Sequence, residues 1–185
     1  VRLAQKIAGG RTDKSIALMV VAPLAMLIES MRLTEILNPQ CVKVPLSATD
    51  KEQVIYELVD ILANTLEIAD VTELREVVWR REQTRTTGIG HGIAIPHGKV
   101  SGCTQLCMAV GKTGQPIDFG AIDGKPVELI ILLVSPIDQT GPHIQVLAQI
   151  SRMLTDGDFL SALKQAESSR QLYELIAQQE ANSPA

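Results

Sequence analysis

Apolar residues recur at helical spacing along 54–66, at Val54, Ile55, Leu58, Val59, Ile61, Leu62 and Leu66, directly after Ser47-Ala48-Thr49-Asp50. The pattern predicts a helix opened by that polar cluster. A second helix is expected from a cap at Asp70 or Thr72, carrying Leu74, Val77 and Val78 and running out near Gln83. Ahead of both, Thr34-Glu35-Ile36-Leu37 predicts a helical turn closed by Asn38-Pro39, and the alternation over Cys41–Leu46 predicts a short strand. Two further strands are expected at Leu106–Gly111 and Val127–Val134. The second is almost continuously apolar, as befits a central strand covered on both faces. The turn-rich segment 115–126 between them is expected to form a lip near the functional site. After a loop over Pro136–Gly141, the residues Ile144, Leu147, Ala148, Ile150 and Leu154 predict an amphipathic helix from Pro142 to Gly157. Two more helices are expected over 158–166 and 168–179, with 181–185 as a frayed tail. Helices before, between and after strands make this an α/β layered domain.

The first thirty residues follow a different pattern. Ile16–Ile28 is an unbroken run of apolar residues and Pro, short of the roughly 20 residues that span a bilayer. Arg2, Lys6, Arg11 and Lys14 precede it, as in a secretory leader, yet Glu29-Ser30-Met31-Arg32 offers no small-residue cleavage site. A buried helix or strand is the structural alternative. The preferred reading is an N-terminal extension over 1–30 outside the native protein, a single domain over 31–180, and the tail. Mass spectrometry showing residues 1–30 retained in the native protein would refute it.

Composition narrows the chemistry. Only 3% of the 185 residues are aromatic against 45% hydrophobic, so the core must be aliphatic. A formal charge of −4, with no basic stripe, argues against nucleic acid as a partner. Cys41, Cys103 and Cys107 are odd in number and show no zinc-type spacing with the histidines, which stand at 91, 97 and 143. They read as structural thiols in a reducing, cytoplasmic setting. No metal and no cofactor is implied.

The stretch with most chemical content is Thr86-Thr-Gly-Ile-Gly-His-Gly-Ile-Ala-Ile-Pro-His-Gly98. Glycines at that density permit tight turns and close approach by another molecule, and no need of core packing is evident for them. Pro96 biases Ile95 toward an extended backbone and presents His97 at the end of a short strand. A histidine there can accept a group and release it again. His143 stands just after Gly141-Pro142 at the start of a helix. It either caps that helix or surface, or shares the strand-end edge with His97, and the sequence supports both equally. Arg80, Arg81 and Arg85 precede the glycines; an arginine fork suits a phosphoryl group, and a solvated helix end explains any one of them as well. His91, between two glycines, reads as exposed. The glycine pattern matches neither a phosphate-binding loop nor a dinucleotide fingerprint.

Taken together, Arg81-Glu82, Thr86–Lys99, the segment from Pro116 to Val127 and Gly141–Arg152 resemble enzyme IIA domains of the fructose/mannitol class of the phosphoenolpyruvate-dependent phosphotransferase system. The resemblance spans Met31 to about Gln179. It implies a three-layer α/β/α fold with a mixed β-sheet flanked by helices. It also implies that His97 takes phosphate from an HPr-type phosphocarrier protein and passes it to a IIB acceptor, that His143 is the second histidine of the site, and that Arg81 steadies the phosphoryl group. Pro-His-Gly-Lys at 96–99 resembles the nitrogen-regulatory branch slightly more than the sugar-specific one. His91 stands where the family more often has Asn or another polar residue. The alternative is a regulatory binding module of the same fold that works without phosphotransfer.

Overall fold

The computed structural model describes residues 31–182 apart from 67 and 69. The extension over 1–30 and residues 183–185 of the tail lie outside the described residues. Along the chain run α1 (Leu33–Ile36), β1 (Leu37–Leu46), α2 (Lys51–Leu66), α3 (Val71–Thr84), β2 (Gly88–Gly90), β3 (Ile93–Ala94) and β4 (His97–Val100). They are followed by β5 (Cys107–Ile117), β6 (Val127–Pro136), α4 (Thr140–Met153), α5 (Gly157–Gln165) and α6 (Ser169–Asn182).

The six strands form one mixed sheet in the order β1-β5-β6-β3-β2, with β4 also paired to β6. β1 runs parallel to β5, β5 antiparallel to β6, and both β3 and β4 parallel to β6. β6 is buried without a break from Leu129 to Pro136, so both of its faces are covered. α2 and α3 pack on each other and against β1, β5 and β4; α5 and α6 form a second pair, with α4 and α5 on β6 and α6 on β1. This is the expected three-layer α/β/α arrangement. The Asp70 carboxylate accepts a hydrogen bond from the Glu73 N–H, so Asp70 rather than Thr72 caps α3. No helix among the described residues is long and apolar enough to cross a membrane.

Several expected boundaries move. β1 begins at Leu37, and Asn38-Pro39 lies inside the strand. A register shift between Leu37 and Val42 absorbs the proline, which has no N–H to give to a ladder. β5 continues past Gly111 to Ile117, with Pro116 again at a register shift, beyond the end of β1. α4 starts at Thr140 and stops at Met153, and Gly157 opens α5 instead of closing α4. Ala181 and Asn182 belong to α6 rather than to a frayed tail.

Candidate functional site

The glycine stretch is a hairpin, not a loose loop. β2 and β3 pair antiparallel around His91 (φ 55°) and Gly92 (φ 75°). Two consecutive left-handed residues form the turn that matches strand twist, which is why glycine stands at 92. Gly88 and Gly98 meet a different demand. A Cβ at Gly88 would lie 2.8 Å from Ala121 Cα, and one at Gly98 would lie 3.1 Å from the side chains of Val77 and Val78. Close packing of the chain on itself therefore excludes a side chain at Gly88 and crowds one at Gly98, contrary to the expectation that core packing did not account for these glycines. The 118–126 segment folds onto the hairpin: Ile122 N donates to Gly88 O at 3.0 Å and His91 N donates to the Asp123 carboxylate at 2.9 Å.

β3 and β4 are two pieces of one strand. Ile93 faces Leu129 and His97 faces Leu133, so the register along β6 is continuous through Ile95-Pro96. His97 consequently opens β4 rather than ending the preceding strand. At the break, Ile95 N donates to Thr87 O at 3.0 Å and Leu133 N donates to Pro96 O at 3.0 Å. The Ile95 carbonyl points back at His97 and takes a hydrogen bond from Nδ1 at 2.8 Å. A carbonyl can only accept, so Nδ1 carries the proton and Nε2 keeps a free lone pair when the ring is neutral. The ring is half-buried. Burial holds its pKa below the usual value, opposed by the Ile95 bond and Glu82 and reinforced by the charge of Arg81.

Behind this lies an ion pair whose carboxylate is buried and whose ammonium is partly exposed. Glu82, 2% exposed, accepts from Thr87 N at 2.9 Å and from the Thr87 hydroxyl, and pairs with Lys51 Nζ at 2.5 Å. Lys51 also donates to Phe119 O at 2.8 Å, an acceptor it shares with the Thr86 hydroxyl. A continuous line therefore runs from Lys51 through Glu82, Thr87 and Ile95 to His97.

His143 comes from the first turn of α4 and is only 6% exposed. Its ring centroid lies 5.5 Å from that of His97, at 59° between planes. Nδ1 is 2.8 Å from the Ser135 hydroxyl near the end of β6. His143 is thus neither a surface residue nor the cap of α4, whose N-cap is Gln139. Burial, then His97 and Lys99, bring its pKa down to about 4, so it is neutral at physiological pH. Lys99 reaches across to the Thr140 hydroxyl at 2.9 Å. Arg81, in the last turn of α3 and half-buried, donates from Nη1 to Arg85 O at 2.9 Å. Its charge is felt at His97.

The structure therefore brings His97 and His143 together, with Arg81 within electrostatic reach. Arg80 and Arg85 are exposed, Arg80 pairing with Glu76 at 3.9 Å, and His91 is exposed on the hairpin tip. Lys51, Glu82 and Ser135 back the two histidines, and the sequence assigned none of them a role, Glu82 entering only beside Arg81 in the resemblance. Glu82 could have been found, because it continues the buried line Leu74, Val78 at four-residue spacing. Ser135 stands as the first hydroxyl after an apolar strand, a weaker signal. Among the described residues no group of three or more His, Cys, Asp or Glu side chains is placed to hold a metal ion. What remains is a neutral nucleophilic nitrogen, a second neutral imidazole and nearby cations: a place to receive and release an anionic group.

A family model described as "Phosphoenolpyruvate-dependent sugar phosphotransferase system, EIIA 2" matches residues 35–179. The chain is 35% identical over 146 residues to a "Nitrogen regulatory protein" of Pseudomonas aeruginosa, covering 79% of this chain and 95% of the relative. It is 30% identical over 148 residues to a "PTS system fructose-specific EIIABC component" of Bacillus subtilis, covering 80% of this chain and 23% of that relative. In structure it is similar to the nitrogen regulatory protein IIA-Ntr of Neisseria meningitidis, with a TM-score of 0.71 and 28% identity, covering 77% of this chain and 97% of that one.

Proposed function

The chain belongs to the EIIA 2 family of the phosphoenolpyruvate-dependent sugar phosphotransferase system, and from that premise we propose that His97 Nε2 is its phosphoryl acceptor. The observation that carries this is the hydrogen bond from Nδ1 to the Ile95 carbonyl, which leaves Nε2 as the nucleophile. The donor is a phosphohistidine protein of HPr type. The phosphorus–nitrogen bond of that donor breaks as the bond to Nε2 forms, and the donor imidazole leaves. Release to a IIB acceptor is the same step in reverse order of partners.

Each neighbour has a physical task in this reading. Arg81 offsets the charge of the phosphoryl oxygens. His143, neutral and held at Nδ1 by Ser135, offers its other ring nitrogen without adding a charge that would trap the group. His143 stands in the first turn of α4, where free peptide N–H groups favour an anion. Ile122, Ile144 and Ile137 are 71%, 60% and 58% exposed. They lie on the segment clasping the hairpin, beside His143 and just ahead of α4, and suit a protein partner better than a small metabolite.

Within the family we favour the nitrogen-regulatory branch, in which phosphorylation is a signal read by target proteins. Identities of 30–35% to nitrogen regulatory proteins, most of them at 32% or above, against 30–31% to fructose-specific components, support that preference. A cytoplasmic site of action accompanies it.

The test is incubation of the full chain with phosphoenolpyruvate, enzyme I and HPr, followed by intact mass. We expect gain of one acid-labile phosphate that is lost in His97→Ala. No gain with any cognate or heterologous HPr would leave the binding-module alternative.

A further inference from the structure

Two thiols outside the histidine site face one another. Cys103 sits in the loop between β4 and β5, Cys107 is the first residue of β5, and their sulfurs are 3.7 Å apart. Both are free thiols. Cys103 donates to Gln105 O at 2.7 Å, and Cys107 is aimed at Val134 O across the β5–β6 ladder at 3.7 Å. Cys103, 6% exposed, also borders an open groove between Ser101–Thr104 and Pro136–Gln139, with the fully buried Cys107 behind it in the sheet, so the exposed loop around Cys103 must yield for a disulfide to reach its sulfur. One thiol at a groove with a second at its back is the layout of an attacking and a resolving cysteine.

The two sulfurs are not equivalent. The hydrogen bond with Cys107 lowers the pKa of the Cys103 thiol, although burial opposes it. The same bond, followed by burial, pushes Cys107 up. Cys103 is thus the member of the pair that gives up its proton more readily. A disulfide needs about 2.05 Å between sulfurs, so the pair must close by some 1.7 Å. Cys107 is held in the ladder, whereas Gly102, Thr104 and Gln105 are exposed and lie outside any strand. The movement falls on the loop.

We propose that Cys103 and Cys107 form a reversible dithiol–disulfide site that reacts with low-molecular-weight disulfides entering the groove. Cys103 thiolate attacks one sulfur of glutathione disulfide, forming a mixed disulfide and releasing one glutathione thiolate. That thiolate takes the Cys107 proton, and the Cys107 sulfur attacks Cys103 and expels the second glutathione. Two electrons pass from the two cysteines to the oxidant; the first glutathione carries the Cys107 proton, and the second takes from water the proton that Cys103 released on ionising. Closing the bond draws Cys103 away from the groove wall at Pro136–Gln139, which leads from Ser135 into α4 and His143. Oxidation therefore slows phosphate uptake at His97, a consequence that rests on the function proposed above.

Trypsin cleaves after Lys99 and Lys112, leaving both cysteines on Val100–Lys112 and Cys41 on another peptide. The full chain, reduced and then treated with glutathione disulfide, should yield Val100–Lys112 lighter by two hydrogens, reversed by dithiothreitol, while Cys41 still alkylates after denaturation. In Cys107→Ser, Cys103 should accumulate as the glutathione mixed disulfide; in Cys103→Ser, Cys107 should stay unreacted. A crosslink from Cys41 to Cys107, or no change in Val100–Lys112 of the unmutated chain, would overturn the site irrespective of how the variants fold. Phosphate uptake should be several-fold slower in the oxidised chain and recover on reduction; equal rates in the two forms would overturn the coupling. A reduced chain that takes no phosphate would instead refute the role of His97, with the disulfide assay standing on its own.

Discussion

The rings of His97 and His143 lie 5.5 Å apart, and the Nδ1 of each is engaged on the protein side: that of His97 by the Ile95 carbonyl, that of His143 by the Ser135 hydroxyl. Engaging Nδ1 on both rings frees both Nε2 atoms for a visiting group. The asymmetry between carbonyl and hydroxyl separates their roles. A carbonyl forces the tautomer of His97, whereas a hydroxyl lets His143 hold its proton on either nitrogen. In the function proposed above, that asymmetry suits His97 to act as the nucleophile and His143 as the adaptable donor.

That division predicts unequal losses. His97→Ala should abolish phosphate uptake altogether. His143→Ala should leave the fold intact and slow uptake by about a hundredfold, the scale for removing one oriented donor. Ser135→Ala should produce a smaller loss in the same direction, because the ring stays but its orientation is no longer held. Rapid-quench measurement of phosphoprotein formation distinguishes the three, and an unchanged rate in His143→Ala would leave the ring as packing only.

Arg81 is set apart from its neighbours by partners and position. Arg80 is exposed and paired with Glu76, whereas Arg81 is half-buried and its charge depresses the pKa of His97. Arg81→Lys should slow transfer by about tenfold or more, since a point charge replaces a planar fork. Arg80→Lys should change nothing. His91→Asn should also leave the rate unchanged, because His91 is exposed on the hairpin tip and engages Asp123 through its backbone N–H; Asn tolerates the left-handed φ of 55° as well.

The lowered histidine pKa values predict two pH profiles. Protonation removes the nucleophilic lone pair of His97, so uptake should stay flat from pH 8 to about 6.5 and fall only below it. Replacing Arg81 by Gln removes a charge that lowers this pKa, moving the fall to higher pH. Stability follows the second ring. His143 titrates at about 4 folded and at about 6.5 unfolded. Between those values the unfolded chain binds the extra proton, so the stabilisation present above pH 6.5 is lost progressively as pH falls toward 4. Thermal midpoints taken across that range should drop in the unmutated chain and drop less steeply in His143→Asn.

How much of this could be read beforehand depends on the range of the interactions. The helices of local amphipathic pattern, the apolar β6 and the acceptor candidate in Pro96-His97-Gly98 are properties of short windows and were legible. Asn38–Gln40 join β1 because a parallel partner, β5, is supplied from 70 residues away, and no window around Pro39 contains it. Gly88 and Gly98 looked like an opening for a partner because Ala121 and Val77, which they accommodate, are visible only once the sheet is closed. The same holds for His143. Its helix was readable, but its burial depends on Ser135 and His97 meeting it at one end of the sheet.

The Lys51–Glu82 pair tests whether the site is built from behind. The Glu82 side chain is fully buried, so removing the charge of Lys51 strands it at a cost of about 3–5 kcal/mol, whereas Lys51 is a quarter exposed and loses less when Glu82 is neutralised. Lys51→Met and Glu82→Gln should each lower the denaturant midpoint, Lys51→Met the more. The double variant should recover most of the loss, because the amide replacing the Glu82 carboxylate still offers Thr87 a carbonyl oxygen and no charge is left unpaired. Stability alone would describe any buried ion pair. The line from Glu82 through Thr87 and Ile95 to His97 predicts a second effect: in the double variant the Nδ1–H tautomer of His97 should be less completely populated, seen as a shift in its ring nitrogen resonances. A recovered midpoint with the tautomer unchanged would reduce the pair to a structural clamp. A recovered midpoint with the tautomer redistributed and uptake slowed would place Lys51 and Glu82 among the residues that aim the acceptor.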